Sequence, residues 1–396
     1  MKILVLNSGS SSIKFQLLDM PAGQVVCSGL AERIGLDDAQ IHLKIGDNQL
    51  TRPQELPDHT TGLEAIAQLL MDPEKGVIKT ASDIQAVGHR VVHGGSTFSS
   101  TSLITDEVKR EIKHLFSLAP LHNPANLSGI EVAEKVFPTA KQVAVFDTAF
   151  HQSIPEHAHR YAIPNELYEK EKIRLYGFHG TSHKYVSAQA IHHLGLQHSK
   201  IITLHLGNGC SMTAVHDGKS IDHSLGFSPV TGLIMGTRSG DLDPAIIFYL
   251  VEELGYSLKE VNSLLQKKSG LLGISGLSDL REIEEKASQD DPMSQLALKM
   301  KAYRIKKYIG AYAAAMNGLD AIVFTGGIGE NSVAVRQLVC DQMEYLGINI
   351  DPQKNQIRAK QIEDISLADS QVRVLIVPTN EELEIARQTY QLIENK

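Results

Sequence analysis

Two short segments carry residue types that suit the binding of a phosphorylated ligand. They read NSGSSSIK over residues 7–14 and HLGNGCS over residues 205–211. A glycine turn between two strands brings backbone N–H groups close to a ligand, because no Cβ intervenes and positive φ angles are accessible. The Asn7 amide, the serine hydroxyls and the Lys14 ammonium suit phosphate oxygens or a magnesium-bound phosphate. Ordinary surface turns are the alternative, and the repetition of the pattern argues against it.

Two arginines and an aspartate stand in contexts that favour contact with an anion. Arg90 lies in GHRVVHGG and Arg238 in MGTRSGDLDP, where small neighbours leave room for a guanidinium to approach an anion. Asp147 follows the apolar run VAVF, and a carboxylate at the carboxyl end of a buried strand points into the crevice of an α/β fold. Surface salt bridges for the arginines and a turn-capping role for Asp147 are the alternatives.

A glycine-rich run and three histidines form a second group of candidates. The run GGIGEN at residues 326–331 follows an apolar strand, so N–H groups at a helix start can receive a nucleotide there, unless the run is only a tight turn. His122, His179 and His205 lie beside glycine or proline and can donate hydrogen bonds to a charged ligand, although structural histidines are common. Other histidine pairs lack a cysteine or carboxylate at ligand spacing, so we predict no zinc site.

The elements that must position these residues alternate between strands and helices. Each of the two polar segments joins two apolar strands, as expected for a glycine hairpin. Apolar spacing and cap residues predict helices over residues 62–71, 106–118, 124–136 with Asn123 as the cap, 258–267, 279–287, 294–317 and the C terminus. The apolar segment 308–316 suits either the core or a subunit contact. Two hairpins in one chain predict a duplicated α/β architecture whose halves face each other across a nucleotide.

Composition excludes several classes of partner. A chain of 396 residues is too long for one ordinary core and predicts two domains. The net charge of -8 disfavours nucleic acid, and no apolar run approaches the roughly 18 residues that span a bilayer, so we expect no nucleic-acid or membrane partner. Cys27, Cys210 and Cys340 lack CxxC spacing, which indicates reduced thiols. The first residues do not resemble a signal peptide, and we expect a cytoplasmic location.

Nine separated motifs together resemble the acetate kinase (acetokinase) family, within the superfamily of sugar kinases, chaperone ATPases and actin. The motifs are NSGSSSIKF (7–15), GHRVVHGG (88–95), LAPLHNP (118–124), FDTAFH (146–151), YGFHGTSHKYV (176–186), HLGNGCS (205–211), MGTRSGDLDP (235–244), FTGGIGENS (324–332) and PTNEELEIA (378–386). The resemblance implies an α/β fold of two duplicated actin-like ATPase domains with ribonuclease H-like cores and an interdomain cleft. It implies domains at residues 1–148 plus 383–396 and at residues 149–382.

The resemblance also implies an activity. Members of this family transfer the γ-phosphoryl group of ATP to acetate in a direct, reversible, in-line reaction that gives acetyl phosphate and ADP. The reaction requires Mg²⁺, with Mn²⁺ as a substitute, and the resemblance implies a homodimer. A kinase for propionate or another short-chain carboxylate, or a sugar kinase, is the alternative within the same class. A nucleotide-switched ATPase of the actin or chaperone type is the alternative from another class.

Site residues follow from the resemblance by matching motifs. It assigns catalysis to Asp147, His179, Arg238 and Arg90, and the acid site to Arg90, Val92, Leu121, His122, Phe178 and Pro229. It assigns the nucleotide to Lys14, His205, Leu206, Gly207, Asn208, Gly209, Asp279, Leu280, Arg281, Gly327, Ile328, Gly329, Glu330 and Asn331. It assigns the magnesium ion to Asn7 and Glu381, with the adjacent Glu382 as the alternative to Glu381. A carboxylic acid with a pKa of about 4 to 5 is already ionised at neutral pH, so we expect Asp147 to orient groups and not to act as a base.

Overall fold

The computed structural model describes residues 1–9, 11–120 and 122–395. The strands are Lys2–Ser8 (β1), Ser12–Asp19 (β2), Gln24–Glu32 (β3), Gln40–Ile45 (β4), Asn48–Pro53 (β5), Ala86–Val91 (β6), Ser102–Leu103 (β7), Lys141–Phe146 (β8), Lys200–Leu206 (β9), Cys210–His216 (β10), Lys219–His223 (β11), Ala321–Thr325 (β12), Glu363–Asp364 (β13) and Arg373–Ile376 (β14). The helices are His59–Leu70 (α1), Asp106–His114 (α2), Asn123–Val136 (α3), Glu156–His159 (α4), Asn165–Glu171 (α5), Gly180–Leu194 (α6), Ala245–Glu252 (α7), Leu258–Lys267 (α8), Gly270–Ser275 (α9), Leu280–Ser288 (α10), Pro292–Met316 (α11), Gly326–Asn331 (α12), Val333–Cys340 (α13) and Glu381–Glu394 (α14). Short 3-10 helices lie at Ala81–Asp83, Leu115–Ser117, Ala149–Ser153, Glu344–Leu346 and Lys354–Gln356. None of the described helices is long and apolar enough to cross a membrane.

The chain forms two units. Unit 1 comprises Met1–Phe150 and Asn380–Lys396, and unit 2 comprises His151–Thr379. The limits that we predict at residues 148 and 383 lie close to these, but Glu381 and Glu382 fall in unit 1 because helix α14 begins at Glu381.

The sheet of unit 1 has the strand order β5-β4-β3-β2-β1-β6-β8-β7. Strands β1, β2 and β3 form an antiparallel meander, and β1, β6 and β8 run parallel. In the first hairpin Asn7 pairs with Lys14, so these two candidate residues lie opposite each other at its turn.

The sheet of unit 2 repeats this core arrangement. Its order is β11-β10-β9-β12-β14-β13, in which β9, β10 and β11 are antiparallel and β9, β12 and β14 are parallel. The three antiparallel and two parallel strands therefore occur twice, in the same order. The repeated glycine hairpin is the local sign of a duplication of the whole sheet core.

Strand alternation decides which residues of unit 1 face helix α14. Ile3 and Val5 of β1, Ala86 of β6 and Val145 of β8 pack with Ile385 and Ala386 of α14. Gly88 brings the helix close, since a Cβ at this position would lie 2.6 Å from Thr389 Oγ1. Side chains alternate along a strand, so the next positions on this face are Asn7, Arg90 and Asp147, at the carboxyl ends of three adjacent strands.

Most helices lie close to their predicted bounds, and two local predictions are wrong. The predicted helix 106–118 is shorter as an α-helix: α2 ends at His114 and is followed directly by the 3-10 helix Leu115–Ser117. Asn123 does not cap α3, because its amide accepts a hydrogen bond from the His93 N–H at 3.1 Å and donates to the His93 carbonyl at 3.0 Å. In α11 the side chains of Ile309, Tyr312, Ala313 and Met316 are buried in the core.

Candidate active site

In unit 1 Arg90 and Asp147 form a close ion pair at the carboxyl ends of β6 and β8. The Arg90 Nε lies 3.0 Å and 3.1 Å from the two carboxylate oxygens of Asp147, and its Nη2 lies 2.6 Å from Oδ2. The Asp147 side chain is only 1% exposed. Burial lowers the pKa of Arg90, but Asp147 and Glu381 outweigh burial and raise it, so the guanidinium stays charged. The Asp147 carboxylate therefore holds the Arg90 guanidinium in a fixed orientation.

The start of helix α14 brings two glutamates to the same edge of the sheet. The Asn380 side chain caps the helix by accepting a hydrogen bond from the Leu383 N–H at 3.0 Å. Glu381 Oε2 lies 4.0 Å from Arg90 Nε, and Glu382 Oε1 lies 2.5 Å from Lys14 Nζ. Burial raises the pKa of Glu381 above its ordinary value, and Arg90 acts in the opposite direction.

Helix α3 holds the loops that carry these groups. The Asn126 amide accepts a hydrogen bond from the Val92 N–H at 3.1 Å and donates one to the Ser8 carbonyl at 2.8 Å. Asn123 fixes the backbone of His93 in the same way. Sequence reasoning missed these positioning amides, because their partners lie 30 or more residues away along the chain.

In unit 2 His179, Arg238 and the second glycine hairpin converge. A Cβ built on Gly209 would lie 3.7 Å from Arg238 Nη1 and 3.8 Å from His179 Nε2. Glycine at this position therefore adds no side chain of its own between the guanidinium, the imidazole and the turn. His179 itself precedes helix α6 with a positive φ of 55°. The Arg238 guanidinium and the His179 imidazole thus lie close to the backbone of the glycine turn.

Arg238 has no carboxylate partner in the part of the chain that the structure describes. Its Nη1 donates to the Pro229 carbonyl at 2.9 Å and contacts the Met235 sulfur at 3.7 Å. Burial lowers the pKa of Arg238, and Cys210 partly offsets this. A partly buried guanidinium that lacks a counter-ion has strong affinity for an anion.

A cavity of about 680 Å³ opens beside the second glycine hairpin in unit 2. The predicted nucleotide residues that line it are Gly207, Asn208, Asp279, Leu280, Arg281, Gly327, Ile328 and Asn331. Further lining residues are Gly236, Leu271, Ser278, Glu284, Ser332 and Arg358. Gly236 and Ser332 lie within the motifs at residues 235–244 and 324–332, and Ser278 precedes the predicted run 279–281, whereas Arg358 lies in a stretch without any recognisable motif.

Other predicted nucleotide residues lie elsewhere or are engaged within the fold. The Glu330 carboxylate accepts hydrogen bonds from the Gly326 N–H at 2.9 Å and the Thr379 N–H at 3.0 Å. Leu206 is buried, Gly329 is buried in α12, and Lys14 belongs to unit 1. His205 Nδ1 lies 2.8 Å from the Ser182 hydroxyl, which fixes its ring against α6.

The predicted acid-binding residues are divided between the units. Val92 and His122 lie in unit 1, where His122 immediately precedes helix α3. Phe178 and Pro229 lie in unit 2, and the Pro229 carbonyl accepts the hydrogen bond from Arg238 described above. Leu121 lies outside the described residues, as does Ser10 of the first hairpin.

Comparison with known proteins then places the chain. A sequence model described as the acetokinase family matches residues 2–387. The chain belongs to the acetokinase family. The acetate kinase of Flavobacterium johnsoniae is 62% identical over 395 residues and 100% of each chain. The crystal structure of Porphyromonas gingivalis acetate kinase is 48% identical, with a TM-score of 0.94 over 99% of each chain. A propionate kinase structure from Francisella tularensis is 44% identical, with a TM-score of 0.92 over 98% of this chain and 99% of that one.

Membership of the acetokinase family fits the duplicated sheets. The close structural relatives and the two mixed sheets confirm the predicted fold class, α/β with duplicated actin-like ATPase domains. The prediction that no zinc site is present stays untested. Among the residues that the structure describes, no three His, Cys, Asp or Glu side chains form a group that could hold a metal ion. All three cysteines are buried and free.

Five buried histidines, two in unit 1 and three in unit 2, are held in the neutral form. Burial lowers the pKa of His89, His93 and His151 to about 4, and it lowers the pKa of His183 and His223 well below 6.5. In the unfolded chain these groups titrate near 6.5. The unfolded state therefore takes up protons first, so the stability that they contribute is complete above pH 6.5 and is lost as the pH falls towards 4.

Because these pKa values are lower in the folded protein than in the unfolded chain, we predict a loss of stability when the pH is lowered. At about pH 5 one such histidine should lower the free energy of unfolding by about 2 kcal/mol relative to about pH 7. In His151→Gln the pH-dependent part should shrink by that amount, as measured by urea unfolding at both pH values. The matched control is His198→Gln, at an exposed position. An unchanged pH dependence in His151→Gln would contradict the assignment of a buried neutral imidazole.

Proposed function

We propose that this protein transfers the γ-phosphoryl group of ATP to acetate, reversibly, to give acetyl phosphate and ADP. The observation that carries the proposal is Arg238, a partly buried cation without a carboxylate partner among the described residues, beside His179 Nε2 and Gly209. The acetate kinases among its relatives support acetate as the acceptor.

The transfer must bring a carboxylate towards a phosphoryl group that also carries negative charge. Repulsion between the two anions is the main obstacle, and positioned cations and donors lower it. In unit 2 the Arg238 guanidinium and the His179 Nε2 would donate hydrogen bonds to oxygens of the transferred group. The backbone N–H groups of Asn208 and Gly209 would hold the nucleotide phosphates beside the cavity, in a turn closed by the Gly207 N–H, which donates to the Gly209 carbonyl at 3.1 Å.

In unit 1 Arg90 would hold the acid. Its Nε and Nη2 are oriented by Asp147, whose carboxylate accepts from both. The acid needs no general base because it is already ionised at neutral pH. Asp147 therefore would act through Arg90, as an orienting group.

Magnesium fits the donor chemistry at the edge of unit 1. Mg²⁺ is commonly held by one or two carboxylates together with substrate phosphates, and not by a cage of protein ligands. Asn7 and Glu381 offer an amide oxygen and a carboxylate that is 22% exposed, at the carboxyl end of β1 and the start of α14. Glu382 is engaged with Lys14, which favours Glu381 as the ligand. A bound Mg²⁺ would neutralise charge on the nucleotide phosphates, and manganese has the same ligand preference.

Propionate is the second candidate acceptor. The similarity to a propionate kinase structure supports it, and a pocket discriminates one methylene by only about 1–3 kcal/mol. We propose that acetate is preferred because Val92 restricts the pocket more than a smaller side chain would.

Two exposed apolar helix faces support a homodimer. No residue of α7 is buried, and Phe248 on it is 61% exposed. Along α11 the apolar side chains of Met293, Leu296, Met300 and Tyr303 are all exposed and recur at helical spacing. Large exposed apolar surfaces mark interaction sites, so we propose that a second copy of the chain covers them.

The free thiols are consistent with a cytoplasmic location.

Replacement of Arg238 tests the proposed chemistry. We predict that Arg238→Ala lowers kcat by about 10²–10³-fold, because one donor to the transition state is lost. Turnover is measured by trapping acetyl phosphate with hydroxylamine, and nucleotide binding by calorimetry. Fold and ADP affinity should stay close to those of the wild type. Arg52→Ala, at an exposed position on β5, is the control. Near-normal turnover by Arg238→Ala would remove Arg238 from the mechanism.

A series of acids tests the acceptor. We predict that kcat/KM decreases from acetate to propionate to butyrate, by about 5- to 150-fold for each added methylene. Formation of ADP should depend on the acid, whereas a nucleotide-switched ATPase would release ADP at the same rate without it. A higher kcat/KM for propionate than for acetate would assign the protein to the alternative substrate.

The apolar faces of α7 and α11 predict a specific effect on oligomeric state. We expect Phe248→Glu combined with Tyr303→Glu to convert the protein to a monomer, since burying two unpaired carboxylates in an interface is costly. Size-exclusion chromatography with light scattering gives the mass. Leu36→Glu, at an exposed position in unit 1, should remain a dimer. A dimer in the double variant would place the interface elsewhere.

A further inference from the structure

Two buried histidines of unit 2 are hydrogen-bonded to the backbone of Phe178, the residue before His179. The His151 Nε2 donates to the Phe178 carbonyl at 3.0 Å, and the His223 Nε2 accepts from the Phe178 N–H at 3.1 Å. Because a carbonyl only accepts and an N–H only donates, these contacts fix the proton of neutral His151 on Nε2 and that of neutral His223 on Nδ1. The peptide groups on both sides of the Phe178 Cα are therefore held by buried imidazoles.

A second set of contacts reaches the ring of His179. His179 Nδ1 lies 2.9 Å from the Ser211 hydroxyl, which lies 2.7 Å from His183 Nε2. His183 Nδ1 lies 2.6 Å from the Thr203 hydroxyl. Ser211, His183 and Thr203 are each fully buried. His179, Ser211, His183 and Thr203 form one continuous hydrogen-bonded row, which we call the His179 row.

Strands β9 and β10 explain why this row is buried yet polar. Ser211 pairs with His205, and Thr213 pairs with Thr203, so the side chains of these four strand residues lie on one face of β9 and β10. The opposite face carries apolar residues such as Ile202 and Met212, both fully buried. Thr203, Ser211 and Thr213 thus occupy core positions where an apolar side chain would pack without any hydrogen-bond requirement.

Contact between His179 and the transferred group would set the direction in which each hydrogen bond of the His179 row is donated. Phosphoryl oxygens only accept hydrogen bonds, so a neutral His179 that binds them carries its proton on Nε2 and leaves Nδ1 as an acceptor. The single proton of the Ser211 hydroxyl then points to His179 Nδ1, and its oxygen accepts from His183 Nε2. His183 Nδ1 in turn accepts from Thr203. With His179 in this form, the reverse tautomer of His183 would compete for the same Ser211 proton and leave either His179 Nδ1 or His183 Nε2 without a hydrogen bond.

We propose that Ser211, His183 and Thr203 are positioning residues that hold the proton of His179 on Nε2, facing Gly209 and the transferred group. This inference rests on the proposed function for the role of His179. The tautomer itself is a property of the protein without substrate. A wrong histidine tautomer is known to lower turnover strongly while the surrounding geometry stays intact.

Matched variants at Thr203 separate the hydroxyl from packing. Thr203→Val keeps the side-chain shape and removes the hydroxyl, whereas Thr203→Ser keeps the hydroxyl. We expect Thr203→Val and Ser211→Ala to lower kcat by about tenfold to hundredfold, with KM for ATP within about twofold of wild type, and Thr203→Ser to retain turnover. If Thr203→Val retains kcat, or if Thr203→Ser loses it equally, the inference is overturned.

Nuclear magnetic resonance tests the tautomer without relying on turnover. In protein labelled with ¹⁵N-histidine at about pH 8, long-range ¹H–¹⁵N spectra distinguish the two neutral forms of each imidazole. The His179 signals are assigned by their loss in His179→Gln. We expect the Nε2-protonated form in wild type and Thr203→Ser, and a mixture in Thr203→Val. An Nδ1-protonated His179 in wild type would refute the inference. Absence of acetate turnover in a wild type that shows the expected tautomer would instead refute the proposed function.

Discussion

In the proposed transfer, repulsion between two anions is the constraint on which the site depends. A carboxylate and a phosphoryl group must come within bonding distance, and water alone does not hold cations in place to allow it. In the proposed mechanism two arginines in different electrostatic settings lower this repulsion. Arg90 is fixed by the buried carboxylate of Asp147, whereas Arg238 has only neutral partners among the described residues. A cation without a counter-ion has the larger capacity to attract the transferred charge.

The fold places these groups by simple periodicity. In unit 1 alternate residues of three neighbouring strands pack against α14, and the last residue of each series is Asn7, Arg90 or Asp147. The same alternation in unit 2 buries Thr203 and Ser211 next to the histidines behind His179. In each sheet the alternation of side chains along the strands therefore determines both the packing of the core and the positions of the candidate site residues.

Much of this was predictable from the sequence, because motifs and periodicity are local. The two hairpins, the duplicated α/β fold and the bounds of helices such as α8 follow from apolar spacing and turn residues. The role of Asn123 was not predictable, since its amide bonds to a backbone thirty residues away along the chain. Arg358 reaches the cavity through tertiary packing alone. Polar residues at core positions of β9 and β10 are visible in the sequence, but their partners depend on the fold.

The most direct test of the account is a crystal structure of the protein with ADP, magnesium, acetate and a phosphoryl mimic such as aluminium fluoride. We expect the mimic to lie beside Gly209, within hydrogen-bond distance of Arg238 Nη1 and His179 Nε2, with ADP in the adjacent cavity. A mimic bound away from both residues, with Arg238 still on the Pro229 carbonyl, would contradict it.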